Sequence, residues 1–262
     1  MTAKRKGVAE GLNAFSFVEL LVVIAIIAVL AGVLLPVLAK GKTAAWRAKC
    51  ISNHRQLALT WSLYTGDNEG RVAQNGYAPD RGSTAKPLWV QGYYNIAVSK
   101  TDSTNTDLLL NPRFAQFAPY LQDVRVYHCP ADKSKNVRSV GMDWGLGFRK
   151  ETGLRNPETT LLKVEVIVAP ASLFLFGDID ARSICWPFFG TDYLGAFFML
   201  PGAYHGRQTV FSFADGHVRP KEWGDPRTVR PSLKTYEWPN HSYSSDGNRD
   251  LVWLRERSAN PR

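Results

Sequence analysis

Apolar and polar positions divide this chain into two regimes. Residues 15–39 are almost unbroken hydrocarbon, and 20–39 contain no charged side chain. At ~1.5 Å per residue, a helix over 15–39 covers the ~30 Å hydrocarbon core of a bilayer. Beyond Ala39 the pattern turns amphipathic. Trp46, Cys50, Leu57, Trp61 and Tyr64 recur at spacings near three, four and seven, which marks one face of a helix. Lys40, Lys42, Arg47, Lys49 and Arg55 fall between them. The helix is expected to stop at 64–70, where Gly66, Asp67, Asn68, Glu69 and Gly70 form a breaker cluster. Residues 16–65 would then extend roughly 75 Å.

From 67 to 220, short apolar runs alternate with Gly, Pro, Asn and Asp clusters. Strands are expected at 88–90, 124–127, 161–168 and 172–177, with a short helix within 111–121. In 205–218, two β-prone runs meet at Asp215-Gly216, a dipeptide suited to the left-handed geometry of a hairpin turn. The expected fold is α+β, with an antiparallel sheet laid on the amphipathic half (40–66) of the long helix. Residues 221–262, with Trp223, Pro226, Pro231, Trp238, Pro239 and Pro261, lack periodicity and read as a wrap over the head or a tail.

Composition adds little to this division. Hydrophobic residues are 45 % and charged ones 21 %, ordinary for a globular protein. The net charge of +9 comes from Lys and Arg spread along the whole chain, without zinc-ligand spacing or an RNA-binding motif. A solvated surface is the reading, and no nucleic-acid partner is expected. Cys50, Cys129 and Cys185 include no C-x-x-C pair, which argues against both a zinc site and a thioredoxin-like role. One disulfide is compatible with an exported domain; spacing leaves its connectivity open, with Cys50–Cys129 preferred.

The amino-terminal segment carries the strongest functional signal. Lys4, Arg5 and Lys6 precede the apolar run, which keeps the start cytoplasmic and exports the remainder. A secretory signal would be shorter and end in an A-x-A-like site, whereas this run continues into more helix. A plain single-pass anchor is the closer competitor. Against it stands Glu19, since a lone carboxylate in lipid is costly and marks a function with a partner.

The stretch Ala14-Phe15-Ser16-Phe17-Val18-Glu19-Leu20-Leu21-Val22-Val23-Ile24 resembles the cleavage and methylation motif of type IV pilins and pseudopilins. The resemblance implies a leader, 1–14, removed by a prepilin peptidase between Ala14 and Phe15, with Phe15 then methylated. It implies that Glu19 pairs with the Phe15 amine of a neighbouring subunit. Buried alone, each of those charges costs several kcal/mol, and pairing offsets much of that. Pro36 matches the position where many pilin helices kink, because proline removes a backbone donor. The family usually has Gly before the cut; Ala14 is a small residue in its place.

Two further stretches resemble a pilin-like branch abundant in planctomycete and verrucomicrobial bacteria. One is Cys50 followed by Asn53-His54-Arg55-Gln56-Leu57, together with Cys129-Pro130-Ala131-Asp132. The other is the H-x9-DG signature, His205 to Asp215 and Gly216.

Two readings of His205 and Asp215 follow from their chemistry. In the favoured one, His205 bonds a strand or turn and Asp215 caps its own turn. In the other, Asp178, Asp180 and Asp215 gather near His205 as an oxygen-rich calcium site; no other cofactor is expected. Five histidines, at 54, 128, 205, 217 and 241, are present without a nucleophile elbow, metalloprotease helix, phosphate loop or dinucleotide fingerprint. No enzymatic activity is expected. The aromatic runs 186–189 and 197–198 are read as core.

These features predict a subunit processed, N-methylated and assembled into a type II secretion or type IV pilus-type filament. Its partners are then the prepilin peptidase, identical or related subunits, the inner membrane and the assembly machinery. Its place is the bacterial inner membrane, crossed once, with the head periplasmic. The alternative is a membrane-anchored periplasmic or extracellular binding module or enzyme.

Overall fold

A computed structural model describes residues 16–77, 87–94, 101–148, 160–191, 196–229 and 243–259. The chain divides into two compact units, Met1–Lys42 and Thr43–Arg262, and one helix, α1 (Phe17–Asp67), contributes to both.

In the first unit, α1 is apolar on every side, and none of its most apolar stretch is buried. It is long and apolar enough to cross a membrane. Pro36 lies inside the helix, so the Gly32 carbonyl one turn earlier lacks its usual backbone donor. The helix ends at Asp67, where Glu69 and Gly70 take left-handed φ of 55° and 71° and the Gly70 N–H donates to the Thr65 carbonyl at 2.9 Å. The breaker cluster thus acts where its composition predicts.

In the second unit, the remaining half of α1 buries Cys50, Asn53, His54, Leu57, Ala58, Thr60, Trp61 and Thr65. Cys50, Leu57 and Trp61 of the predicted stripe are among them, while Trp46 and Tyr64 are half-buried at its edges. Asn53 and His54 belong to the same buried face, although hydrophobic periodicity alone does not select them.

Five strands form one sheet: β1 (Val140–Asp143), β2 (Phe174–Asp178), β3 (Phe188–Phe189), β4 (Gln208–Phe213) and β5 (Val218–Glu222), in the order β3-β1-β2-β4-β5. The sheet is mixed rather than purely antiparallel, because β3 runs parallel to β1 with Met142 opposite Phe188. A parallel pair needs a long connection, and here β2 itself lies within the stretch that joins β1 to β3. The α+β arrangement, with the sheet packed on the amphipathic part of α1, is as expected. One core region joins Leu57 and Trp61 of α1 to Trp89, Phe117, Tyr127 and Phe176. A second is dominated by Trp144, Trp186, Phe188, Phe189, Phe197 and Phe211, so the aromatic runs are core.

Several local expectations are corrected. Residues 161–168 form isolated bridges at Leu161 and Lys163 and a 3-10 turn, Val164–Val166. Val166 and Val168 there are exposed, so this apolar run does not continue as a buried strand. Residues 124–127 are a 3-10 turn because the Asp123 carboxylate accepts the Arg125 N–H at 3.0 Å and caps it. Residues 111–121 form successive turns, and the short helix α2 (Asp107–Leu110) precedes them. Residues 88–90 make one bridge, Leu88 to Ala115, instead of a strand. At the carboxy-terminal end, β5 extends beyond 220, and two helices follow, α3 (Pro226–Val229) and α4 (Arg249–Arg255). Leu251 and Leu254 of α4 enter the aromatic core, so the described part of 221–262 is a wrap. Asn248 starts α4 by accepting the Asp250 N–H at 2.9 Å.

Candidate functional site

Four buried side chains from four separate segments converge between α1 and the sheet. Cys50 comes from the buried face of α1, and Asp178 is the last residue of central strand β2. Cys129 follows the 3-10 turn at 124–127, and His205 precedes β4. Their candidate ligand atoms all lie within 4.8 Å of one another, and the residues are only 1 %, 1 %, 2 % and 3 % exposed in that order. The Cys50 thiol donates to Asp178 Oδ2 at 3.1 Å, and Cys129 Sγ lies 3.2 Å from His205 Nε2. Val210 packs against both cysteines, with Ile51, Ala131, Tyr204 and Val218 around them.

The surrounding segments hold these positions by backbone bonds. Cys129 N–H donates to Ser139 Oγ at 2.7 Å, which ties its loop to the start of β1. Asn53 Nδ2 donates to the carbonyls of Arg125 and His128 at 3.0 and 3.3 Å, fastening α1 to that same loop. Past His205, Gly206 and Arg207 both take left-handed φ, near 66° and 67°. The Arg207 guanidinium secures this turn through the Trp223 and Gly224 carbonyls.

Electrostatically the cluster is unbalanced. Among the described residues no Lys or Arg pairs with Asp178; its nearest basic atom is His54 Nε2, 3.4 Å from Oδ1 and not aligned for a hydrogen bond. The neighbouring Cys50 thiol brings the Cys129 thiol down to about 7 against the effect of burial, with His205 contributing. Contact with Cys129, burial and the nearby Asp178 hold the Cys50 thiol well above its ordinary range.

The preferred disulfide partners are therefore neighbours, but Cys50 and Cys129 are thiols in contact, without a bond between them. The calcium set is not brought together. Asp180 is held by Arg182, whose Nε and N–H reach Oδ1 at 2.9 Å, and Asp215 accepts the His217 N–H at 3.1 Å within its own hairpin turn. Each carboxylate is used by its own turn, and of the three only Asp178 meets His205. Asp215 follows the turn-capping reading, and Gly216 supplies the left-handed position with φ 88°. His205 departs from that reading, since its ring faces Cys129.

At the other end of the chain, Glu19 sits in the first turn of α1. Its Oε2 accepts the Ser16 N–H at 2.8 Å, while Ser16 Oγ accepts the Val18 N–H at 3.3 Å. The pattern Ser-x-x-Glu is that of a capping box, a signal present in the sequence that gives Glu19 a local role. Ala14 and Phe15, the processing positions, lie outside the described residues, as does His241.

The cluster joins the motifs that stand apart in sequence: Cys50 from the first branch element, Cys129 from the Cys-Pro-Ala-Asp element, and His205 from the H-x9-DG element. Protein-family models, curated proteins and solved structures gave no match to this chain.

Proposed function

We propose that the chain is a pilin-like filament subunit, cut between Ala14 and Phe15, methylated at Phe15, and assembled through the apolar half of α1. In this reading the helix crosses the bacterial inner membrane with the head periplasmic. It is then drawn into a type II secretion or type IV pilus-type filament. The observation that carries it is Glu19 in the first turn of a helix whose apolar surface is exposed on every side. Such a surface requires lipid or other apolar helices around it. The capping bond occupies one oxygen of Glu19, and among the described residues no Lys or Arg forms an ion pair with it. An ammonium group from a neighbouring subunit compensates its charge and sets the axial register between copies.

Two variants separate capping from pairing. Glu19→Gln retains an oxygen for the Ser16 N–H and removes the charge, while Glu19→Ala removes both. The proposal expects both to reach the membrane and neither to enter filaments. Normal incorporation of Glu19→Gln would reduce Glu19 to a helix cap and overturn the assembly role.

A further inference from the structure

We propose that Cys50, Cys129, Asp178 and His205 form a closed tetrahedral site for a soft divalent cation of the zinc class, which clamps α1 to the sheet. This does not depend on the filament reading, because all four ligands belong to the second unit.

The donor set selects the cation. Two sulfurs and an imidazole suit zinc, whereas calcium and magnesium take oxygen ligands. The geometry agrees with the chemistry. With Zn–S ~2.3 Å and Zn–N or Zn–O ~2.0 Å, a tetrahedron has sulfur-to-nitrogen and sulfur-to-oxygen edges of about 3.5 Å. Here the two measured edges are 3.1 and 3.2 Å, and every ligand pair is within 4.8 Å. These two edges need only lengthen slightly, and the remaining pairs lie close enough for the four atoms to gather round one centre.

The Asp178 carboxyl group is 1 % exposed, and its hydrogen bond comes from a thiol, a weak donor. Burying a polar group with so weak a partner is costly. Zn2+ entering the site displaces the Cys50 and Cys129 protons to solvent, and two thiolates, one carboxylate and a neutral imidazole then bind it. The centre is left one unit negative, with His54 Nε2 lying 3.4 Å from the second Asp178 oxygen. Both ring nitrogens of His54, and Nδ1 of His205, are buried without a hydrogen-bond partner among the described residues. Four protein ligands fill a tetrahedron, so this is a structural site with no open position for substrate.

The test uses the full-length chain, solubilised in detergent, reduced, loaded with Zn2+ or Co2+ and then freed of excess metal. The proposal expects close to one zinc per chain by elemental analysis. It also expects cobalt absorption typical of tetrahedral thiolate ligation. Cys50→Ser and His205→Ala should each weaken binding at least ~tenfold, the lower end of what even outer-shell changes cost. Asp178→Asn and His205→Gln, closer in shape, provide the measurement if the first pair misfold, with folding followed by near-UV circular dichroism. Cys185→Ala, which leaves the four ligands in place, should bind metal as the parent does. A folded, reduced parent chain that takes up no metal overturns the proposal. So does metal binding unchanged in folded ligand variants, or a Cys50–Cys129 disulfide when thiols are trapped at cell lysis.

Discussion

Cys50 Sγ on α1 lies 3.1 Å from Asp178 Oδ2 at the end of β2, joining residues separated by 128 positions. This contact marks where the sheet of the second unit is fastened to the buried face of α1. Around it, Asn53 binds the loop that carries Cys129. Helix, loop and central strand are thereby held at one level, and below it Leu57 and Trp61 continue the same buried face.

That face should dominate the stability of the head. Leu57 is fully buried, and Leu57→Ala is expected to cost about 2–5 kcal/mol through lost transfer energy and the cavity left behind. Leu59, on the exposed side of the same turn, should change stability by no more than ~0.5 kcal/mol when replaced by Ala. Denaturant unfolding followed by tryptophan fluorescence distinguishes the two.

The sheet centre has no room for added atoms. A Cβ on Gly177 would lie 2.6 Å from Phe211 Cε1 and 2.9 Å from Phe189 Cε1. Gly177→Ala should therefore destabilise by about 1–3 kcal/mol, the usual cost of overpacking. Phe211→Leu in the same background should recover part of that loss in thermal unfolding; if it adds a further loss instead, steric conflict with Phe211 is not the cause.

Stability should fall with rising pH through a defined window. Burial pushes the Asp143 carboxyl up to about 7 despite hydrogen bonds from Gly145, Ala259 and Ser258. Its folded value thus lies above the ordinary carboxylate range, so between about pH 4 and 7 the native state binds more protons than the unfolded chain. Its contribution is full below about pH 4 and lost progressively toward pH 7, a few kcal/mol in all. Asp132, Asp215 and Asp225 are lowered from their ordinary values and act in the opposite sense, with stability lost only as pH falls below that window. Unfolding measured from pH 4 to 7 should show the decline in the parent chain, and the slope should be largely absent in Asp143→Asn.

The helix cap at Asn248 holds the carboxy-terminal wrap. Its Oδ1 accepts the Asp250 and Leu251 N–H groups, and its Nδ2 donates to Thr228 Oγ1 of α3 at 3.0 Å. Asn248→Ala should cost ~1–2 kcal/mol. Proteolysis should show where the loss falls: cleavage within 243–259 is expected to quicken before the sheet is cut.

How much of this was legible in the sequence depends on the range of the interaction involved. The long helix, its stop within 64–70 and the Asp215-Gly216 turn follow from periodicity and from local backbone chemistry. Residues 161–168 failed because β-branched residues favour strands only where a partner strand lies alongside, and here two isolated bridges supply all the described pairing. Residues 124–127 failed because the Asp123 carboxylate offers a nearer partner than any strand. In the site, Cys50 was paired with Cys129 and, in the calcium alternative, Asp178 was set near His205, but the meeting of all four depends on the β2–β4 register and on the path of the loop at 128–139. The disfavoured calcium alternative grouped acids by type and overlooked Arg182 and His217, each two residues from the acid it engages.

The filament proposal rests most directly on the identity of the mature amino terminus. Mass spectrometry of the chain recovered from membranes of cells carrying a prepilin peptidase should find Phe15 first in the sequence, bearing a methyl group. A chain that retains Met1, or one cut elsewhere with an unmodified terminus, would contradict the proposal, because no Phe15 amine would then exist to meet Glu19.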